Sequence, residues 1–197
     1  MAMTEKCVVV IAGPSGSGKN SVIGGLKAHC MKCSCLVTTT TRAPRPGEAD
    51  GVDYHFLSVD RFEDALRKGD ILEHRFVESL GTHYGVYKPD LEGRLARGDV
   101  VLAHLDIIGA RYLKEHYNAT TIFILPDSFD VLEARVRARN PNMSDAEISA
   151  RMKIARTEME EHAPEYDYRV VNSEGKLDGA INEVIEILRK EGYDLGI

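Results

Sequence analysis

No stretch of this chain approaches the roughly 18 consecutive apolar residues of a membrane helix. The longest apolar run, residues 7–12, ends in a glycine-rich turn, so no helical membrane span is expected. A basic excess is missing too: 25 Lys and Arg against 31 Asp and Glu leave a net charge of -6, with a pI near 5.7. A general nucleic-acid binder needs a basic footprint to displace counterions, and that class is set aside. Any phosphate site must therefore be locally basic. The start, Met1-Ala2-Met3-Thr4-Glu5-Lys6, carries no signal-peptide pattern, and a cytoplasmic protein with reduced thiols is expected. Cysteine is scarce: Cys7, Cys30, Cys33 and Cys35. The last three form a Cys-x-x-Cys-x-Cys cluster, yet no second Cys or His pair stands at zinc-finger spacing, which favours packed or surface thiols over a metal site. Internal repeats, low-complexity tracts and long linkers are all lacking. With 43% hydrophobic and 28% charged residues, the 197 residues read as one globular domain with room for short inserted subdomains.

What is present begins with Gly13-Pro14-Ser15-Gly16-Ser17-Gly18-Lys19, directly after the apolar run. This is a complete GxxxxGK match between a strand and a helical stretch over 20–29, the arrangement that cradles nucleotide phosphates. Glycines permit positive φ, so successive N–H groups point into one concavity at a helix start. Lys19 adds a full charge for the β and γ phosphates of a nucleoside triphosphate. An ordinary strand, turn and helix start with nothing bound is the bland alternative, and the complete context disfavours it. Where a Ser or Thr would reach magnesium the chain has Asn20, followed by Ser21. The Asn20 carbonyl oxygen suits a hard cation, so Mg2+ binding is expected to persist with altered reach. Ser21 cannot replace it, because adjacent helical residues point about 100° apart.

Apolar strands at 7–12, 100–106, 120–125 and 168–172 alternate with helical patterns, which predicts a parallel sheet covered on both faces. Residues 38–86 differ. The β-branched run 38–41, turn chemistry at 43–48, and strand-like 54–57 and 71–77 predict an insertion with its own small sheet. Ser144 and Glu147 have capping-box spacing. Ile148, Met152, Ala155 and Met159 then share one helical face, which leaves Arg151 to point elsewhere. A last helix over 177–188 has the apolar spacing to cover the sheet.

The run from Thr38 through Arg42-Ala43-Pro44-Arg45-Pro46-Gly47-Glu48 to Tyr54-His55-Phe56 resembles the monophosphate-binding signature of guanylate kinases. Further matches follow in order: Glu73, Tyr84-Gly85, Asp106-x-x-Gly109-Ala110, Arg139, Arg151, and Tyr166 to Asn172. They span nearly the whole chain. The resemblance implies an α/β, three-layer P-loop NTPase fold: a parallel core sheet over 5–36, 90–129 and 161–193, an inserted monophosphate-binding subdomain over 37–89, and a helical lid over 130–160. It implies transfer of the γ-phosphoryl group of ATP to GMP with Mg2+, held in part by Asn20. It places ATP on Gly13, Pro14, Ser15, Gly16, Ser17, Gly18, Lys19, Asn20, Ser21 and Asn172. GMP falls to Thr38, Arg42, Arg45, Tyr54, Glu73, Tyr84, His104 and Asp106, and catalysis to Lys19, Arg42, Arg139 and Arg151. The chemistry of these residues is consistent with the roles. Arg42 and Arg45 flank a rigid proline and present two guanidinium forks to a phosphate dianion, with phenolic donors from Tyr54 and Tyr84. Arg139 and Arg151 would close on the phosphoryl group, whereas Arg135 and Arg137 read as a solvated helix face. No oligomeric state follows from the sequence.

Selectivity is expected at Glu73. Guanine offers donors at N1 and N2 that one carboxylate accepts in a pair, while adenine opposes it with an acceptor at N1. Around it the chain departs from the family pattern. Thr38 keeps a hydroxyl where Ser is usual, and Val86 loses one after Tyr84-Gly85. His104 replaces an acid and accepts only through an unprotonated ring nitrogen, unless it is a packed core histidine. Ile108 replaces a glutamine, and the stretch from Glu73 to Tyr84 is longer than usual. Two rival readings stand beside this one. A kinase of another phosphorylated small molecule, either a different nucleoside monophosphate or ribose 1,5-bisphosphate, is disfavoured by the intact 41–48 run and Glu73. A non-catalytic guanylate-kinase-like binding module is disfavoured by Lys19 and both lid arginines.

Overall fold

The computed structural model describes residues 6–197; the chain start and the first residue of the expected core span 5–36 lie outside the described residues. Nine strands and seven α-helices follow in order: β1 (Val8–Ala12), α1 (Lys19–His29), β2 (Cys33–Cys35), β3 (Thr39–Thr40), β4 (His55–Phe56), α2 (Val59–Lys68), β5 (Ile71–Val77), β6 (Thr82–Tyr87), α3 (Lys88–Ala96), β7 (Val100–Ala103), α4 (Ile107–Tyr117), β8 (Thr120–Leu125), α5 (Phe129–Arg139), α6 (Asp145–Thr157), β9 (Tyr168–Val171) and α7 (Leu177–Lys190), all within the described residues.

Five strands pair in parallel in the order β2-β7-β1-β8-β9, so β1 and its glycine loop occupy the middle of the sheet. The Val8-Val9-Val10-Ile11-Ala12 run is buried throughout because both sheet faces are covered. Val9 and Ile11 pack with Leu26 of α1 and with Val184 and Leu188 of α7. Val8, Val10 and Ala12 pack on the opposite face with Leu91 of α3 and with Ala110 and Leu113 of α4. At about 1.5–3 kcal/mol for each fully buried Val or Ile side chain, this strand anchors the fold.

A second sheet, β4-β3-β6-β5, is built from the strands between 39 and 87 and has its own small core of Phe62, Ala65 and Ile71. Helices α5 and α6 likewise share a separate cluster of Leu132, Val136, Ile148, Met152 and Ala155. Expected and observed elements differ mainly at strand ends. The expected strand 100–106 stops at Ala103, because Asp106 turns its carboxylate onto the N–H groups of Ile108 and Gly109 and caps α4. The capping box at Ser144 and Glu147 forms as expected. Immediately after α6 the helix widens into a π-type turn over 158–162. Among the described residues no two of the four cysteines form a disulfide, and Cys30 is buried at the end of α1. Burial pushes the Cys33 thiol up, and the neighbouring Cys30 adds to it.

Candidate active site

The phosphate loop is shaped by backbone that other residues cannot adopt. Gly13 has φ of 146° and Gly18 of 85°. A Cβ on Gly13 would lie 2.5 Å from the Ile124 carbonyl oxygen, and one on Gly18 would lie 2.1 Å from Nδ2 of Asn172. That amide is buried and donates to the Ser17 carbonyl at 2.9 Å, bracing the loop from behind. Helix α1 starts at Gly18 with no side-chain cap and no acid in its first turn, whereas Ser58, Asp106, Ser128 and Ser144 cap α2, α4, α5 and α6. Its first N–H groups and the positive end of its dipole are left for an anion. Lys19 extends from the same turn, its ammonium 3.5 Å from the Pro14 carbonyl. Burial lowers its pKa, Glu158 opposes that, and Arg139 adds to it. Arg139 reaches the loop from the end of α5 and donates to Ser15 Oγ at 2.8 Å.

A cleft of about 860 Å³ runs from this loop to the second sheet. Gly13, Ser15 and Lys19 line one end, Thr38, Tyr54, Glu73, Arg75 and Tyr84 the other, and His104, Asp106 and Ile108 the floor between them. Lys153, Ile154 and Glu158, from α6 and the turn after it, form the facing wall. Glu73 is pushed up to about 7 by burial, with the Asp106 carboxylate adding and the Arg75 guanidinium opposing. His104 has a face open to solvent, but crowding by protein lowers its imidazole to about 4, helped by the Lys19 ammonium. It is therefore neutral at pH 7 and able to accept. One terminal nitrogen of Arg75 lies 2.8 Å from Asp106 Oδ2, tying the second sheet to the start of α4. Gly109 makes room for the glutamate: a Cβ there would come within 3.3 Å of Glu73 Oε2.

Arg42 lies against the Tyr54 and Phe56 rings, its guanidinium carbon 5.5 and 5.7 Å from their centroids. It donates to Glu48 Oε1 at 2.9 Å, and the other oxygen of Glu48 accepts from the Arg45 backbone N–H at 2.7 Å. Glu48 thereby folds the turn that carries both arginines. Nε of Arg42 is buried without a hydrogen-bond partner among the described residues, a donor left over beside Tyr54 and Tyr84, whose rings are 5.9 Å apart.

Of the expected site residues, Gly13, Ser15, Lys19, Thr38, Tyr54, Glu73, Tyr84, His104 and Asp106 line this cleft, Gly16, Gly18, Ser21 and Asn172 line a smaller outer cavity, and Pro14, Ser17, Asn20, Arg42, Arg45, Arg139 and Arg151 line neither. Arg151 lies on the exposed face of α6 and does not line the cleft, since the buried face of that helix carries Ile148, Met152 and Ala155. The Arg45 side chain is exposed. Val86 is fully buried in the core and offers the site no hydroxyl. Arg135 is not a solvated face: it lies 3.4 Å from the Asn172 carbonyl and, with Gly16, Gly18, Ser21 and Asn172, lines the outer cavity of about 270 Å³. The side chains missed in the sequence are Arg75, Lys153 and Glu158. Arg75 was accessible to reasoning, because a regular strand puts residues two apart on one face, although β5 carries a register shift between Ile71 and His74. Glu158 was not, because its approach depends on the widened turn.

The sequence model described as guanylate kinase matches residues 5–191. A guanylate kinase from Synechocystis sp. is 35% identical over 186 residues, covering 93% of this chain and 94% of its own length. One from Aliivibrio fischeri is 39% identical over 194 residues, covering 96% of this chain and 90% of its own. Among solved structures, a guanylate kinase from Anaplasma phagocytophilum superimposes with a TM-score of 0.69 at 28% identity, covering 98% of this chain and 89% of that one. With a family match along nearly its full length and the same α/β architecture, this chain belongs to the guanylate kinase family.

Proposed function

We propose that the chain transfers the γ-phosphoryl group of ATP to GMP, releasing ADP and GDP. The observation that carries this reading is one continuous cleft with a cationic phosphate cradle at one end and a carboxylate, Glu73, at the other. Phosphoryl transfer leaves little covalent work for a protein, so positioning and charge stabilisation supply the rate. The loop N–H groups and Lys19 would hold the β and γ phosphates. The outer cavity beside Arg135 and Asn172 would take the nucleoside end of ATP. Arg42, with its unpartnered Nε, would grip the acceptor phosphate together with Tyr54, Tyr84 and, once its side chain swings in, Arg45. Glu73 would accept from N1 and N2 of guanine, while Thr38, His104 and Asp106 complete the pocket. Arg139, already on the loop, would stabilise charge on the phosphoryl group, and Arg151 would join it when α6 moves inward.

Asn20 is exposed at the first turn of α1, beside Lys19. A single amide oxygen there fits a Mg2+ ion, which keeps most of its waters and takes further ligands from substrate phosphates. When bound, the ion would neutralise charge across the β and γ phosphates. We assign residues 37–89 as the monophosphate-binding insertion, 130–160 as the lid and the remainder as the core, and expect a cytoplasmic enzyme. Coupled assays across GMP, dGMP, AMP, UMP and ribose 1,5-bisphosphate test the reading. GMP and dGMP should turn over; turnover of another acceptor without GMP defeats the assignment, and no turnover at all favours a binding module.

A further inference from the structure

We propose that Arg75 is a second base-reading residue, which donates to the O6 and N7 edge of guanine while Glu73 accepts from N1 and N2. The inference rests on the GMP reading above and adds a specificity determinant to the same site. Glu73 and Arg75 both lie on β5, whose register with β6 shifts between Ile71 and His74, and both line the same cleft. Two residues along a strand are separated by about 6.6 Å, a distance comparable to the width of a purine, so the pair can address adjacent edges of one base. Guanine presents two acceptors at O6 and N7, which match a guanidinium fork, whereas adenine places its N6 amino donor where O6 would be and repels it. The apolar Val77, Leu80 and Ile108 share this lining and Val86, buried in the core, offers no hydroxyl, so beside Arg75 the donors at this end are the hydroxyls of Thr38, Tyr54 and Tyr84.

The tether to Asp106 gives Arg75 a fixed position. Asp106 is itself held, since its Oδ1 accepts from the Ile108 and Gly109 N–H groups at 3.1 and 3.2 Å, leaving Oδ2 for Arg75 at 2.8 Å. A guanidinium has five N–H donors, so one nitrogen can stay on Asp106 while the others face a ligand. The positive charge also opposes the upward shift that burial and Asp106 impose on Glu73, whose carboxyl stands at about 7 with all three acting.

The test compares GMP with 7-deaza-GMP, in which a C–H replaces the N7 acceptor, on the wild-type chain, Arg75→Ala and Arg75→Lys. Wild type should favour GMP by about ten- to hundredfold in kcat/KM, the scale of a bidentate base contact. Measured at pH 9, where Glu73 is ionised in every variant, Arg75→Ala should lose more with GMP than with 7-deaza-GMP, which keeps the O6 acceptor, so that the two substrates become nearly equal. Arg75→Lys keeps a charge and single donors beside Glu73 but not the planar fork, and should retain only part of the discrimination. Equal losses on both substrates would make Arg75 only a joint between the second sheet and α4, and no loss on either would remove its role; both results overturn the proposal. Arg75 is half exposed, so the variants should melt with wild type and bind ATP unchanged. If wild type phosphorylates some other acceptor but not GMP, the functional reading fails first, which separates the two failures.

Discussion

The proposed phosphate cradle and the proposed base pocket contribute to one cleft and are assembled by different means. The cradle uses backbone N–H groups from consecutive residues between 13 and 19, in conformations that only glycine adopts at Gly13 and Gly18. The pocket uses side chains drawn from β5, from the turn between β7 and α4, and from the turn after α6. Backbone donors survive most side-chain exchanges as long as the glycines remain. Side-chain donors can be exchanged singly, and Val86, His104, Ile108 and Arg75 all fall in or beneath the pocket.

The largest expected break in this comparison is Lys19→Met, the one cradle donor that is a side chain. It should cost roughly 10³-fold or more in kcat by removing a cation from the transferring phosphoryl group, while ATP binding measured by calorimetry persists through the loop backbone. Glu73→Gln should lower kcat/KM for GMP by about 10²- to 10³-fold, because its NH2 opposes one guanine donor, with ATP affinity unchanged. This residue also makes the pocket sensitive to pH. Its folded pKa is raised from 4.5 to about 7, so kcat/KM for GMP should rise as pH increases through 7 and Glu73 ionises. Stability runs the other way. Between 4.5 and about 7 the folded state holds a proton that the unfolded state has released, so rising pH destabilises the fold across that window. Glu73→Gln should therefore melt higher than wild type at pH 8, by roughly 2–4 °C if about 1 kcal/mol survives solvent screening, and the gain should vanish below pH 4.5.

A smaller change sharpens the contrast without touching a polar group. Gly109→Ala would place a methyl 3.3 Å from Glu73 Oε2 and 3.0 Å from Leu105, displacing the carboxylate. The carboxylate need give by only a few tenths of an ångström, well short of the roughly 1 Å misplacement that costs 10²-fold, so we expect a rise of about three- to tenfold in KM for GMP with KM for ATP unaffected. The smallest effect is expected at the edge of the cradle. Asn20→Ser should leave the melting temperature alone and raise Mg2+-dependent turnover several-fold; a Mg2+ titration identical to wild type would show that no hydroxyl is needed after Lys19.

The same contrast accounts for what could be read before any coordinates. The parallel core was legible because strands buried on both faces are near-continuous apolar runs, and β1 and β8 appear in the sequence as such. The second sheet was legible in outline from β-branched and turn chemistry around 38–57 and 71–77, yet its order β4-β3-β6-β5 was not, because two of its strands are only two residues long and their pairing is set by distant partners. Arg135 was misjudged because helical periodicity reports which face is apolar, not whether another element, here the segment at Asn172, covers the polar one.

By itself the sequence determined the glycine-rich loop between strand and helix, the family and the alternation of strands and helices, since each depends on residues close together in the chain and on backbone freedom or apolar spacing that the sequence exposes. Only the tertiary structure decided that Glu73 sits against Gly109, that Asp106 both caps α4 and holds Arg75, that Val86 faces the core, and that Glu158 approaches Lys19. Those arrangements join residues tens of positions apart, and the electrostatics they create, from a glutamate near 7 to a histidine near 4, arise from burial and neighbours that come into being only when the chain is folded.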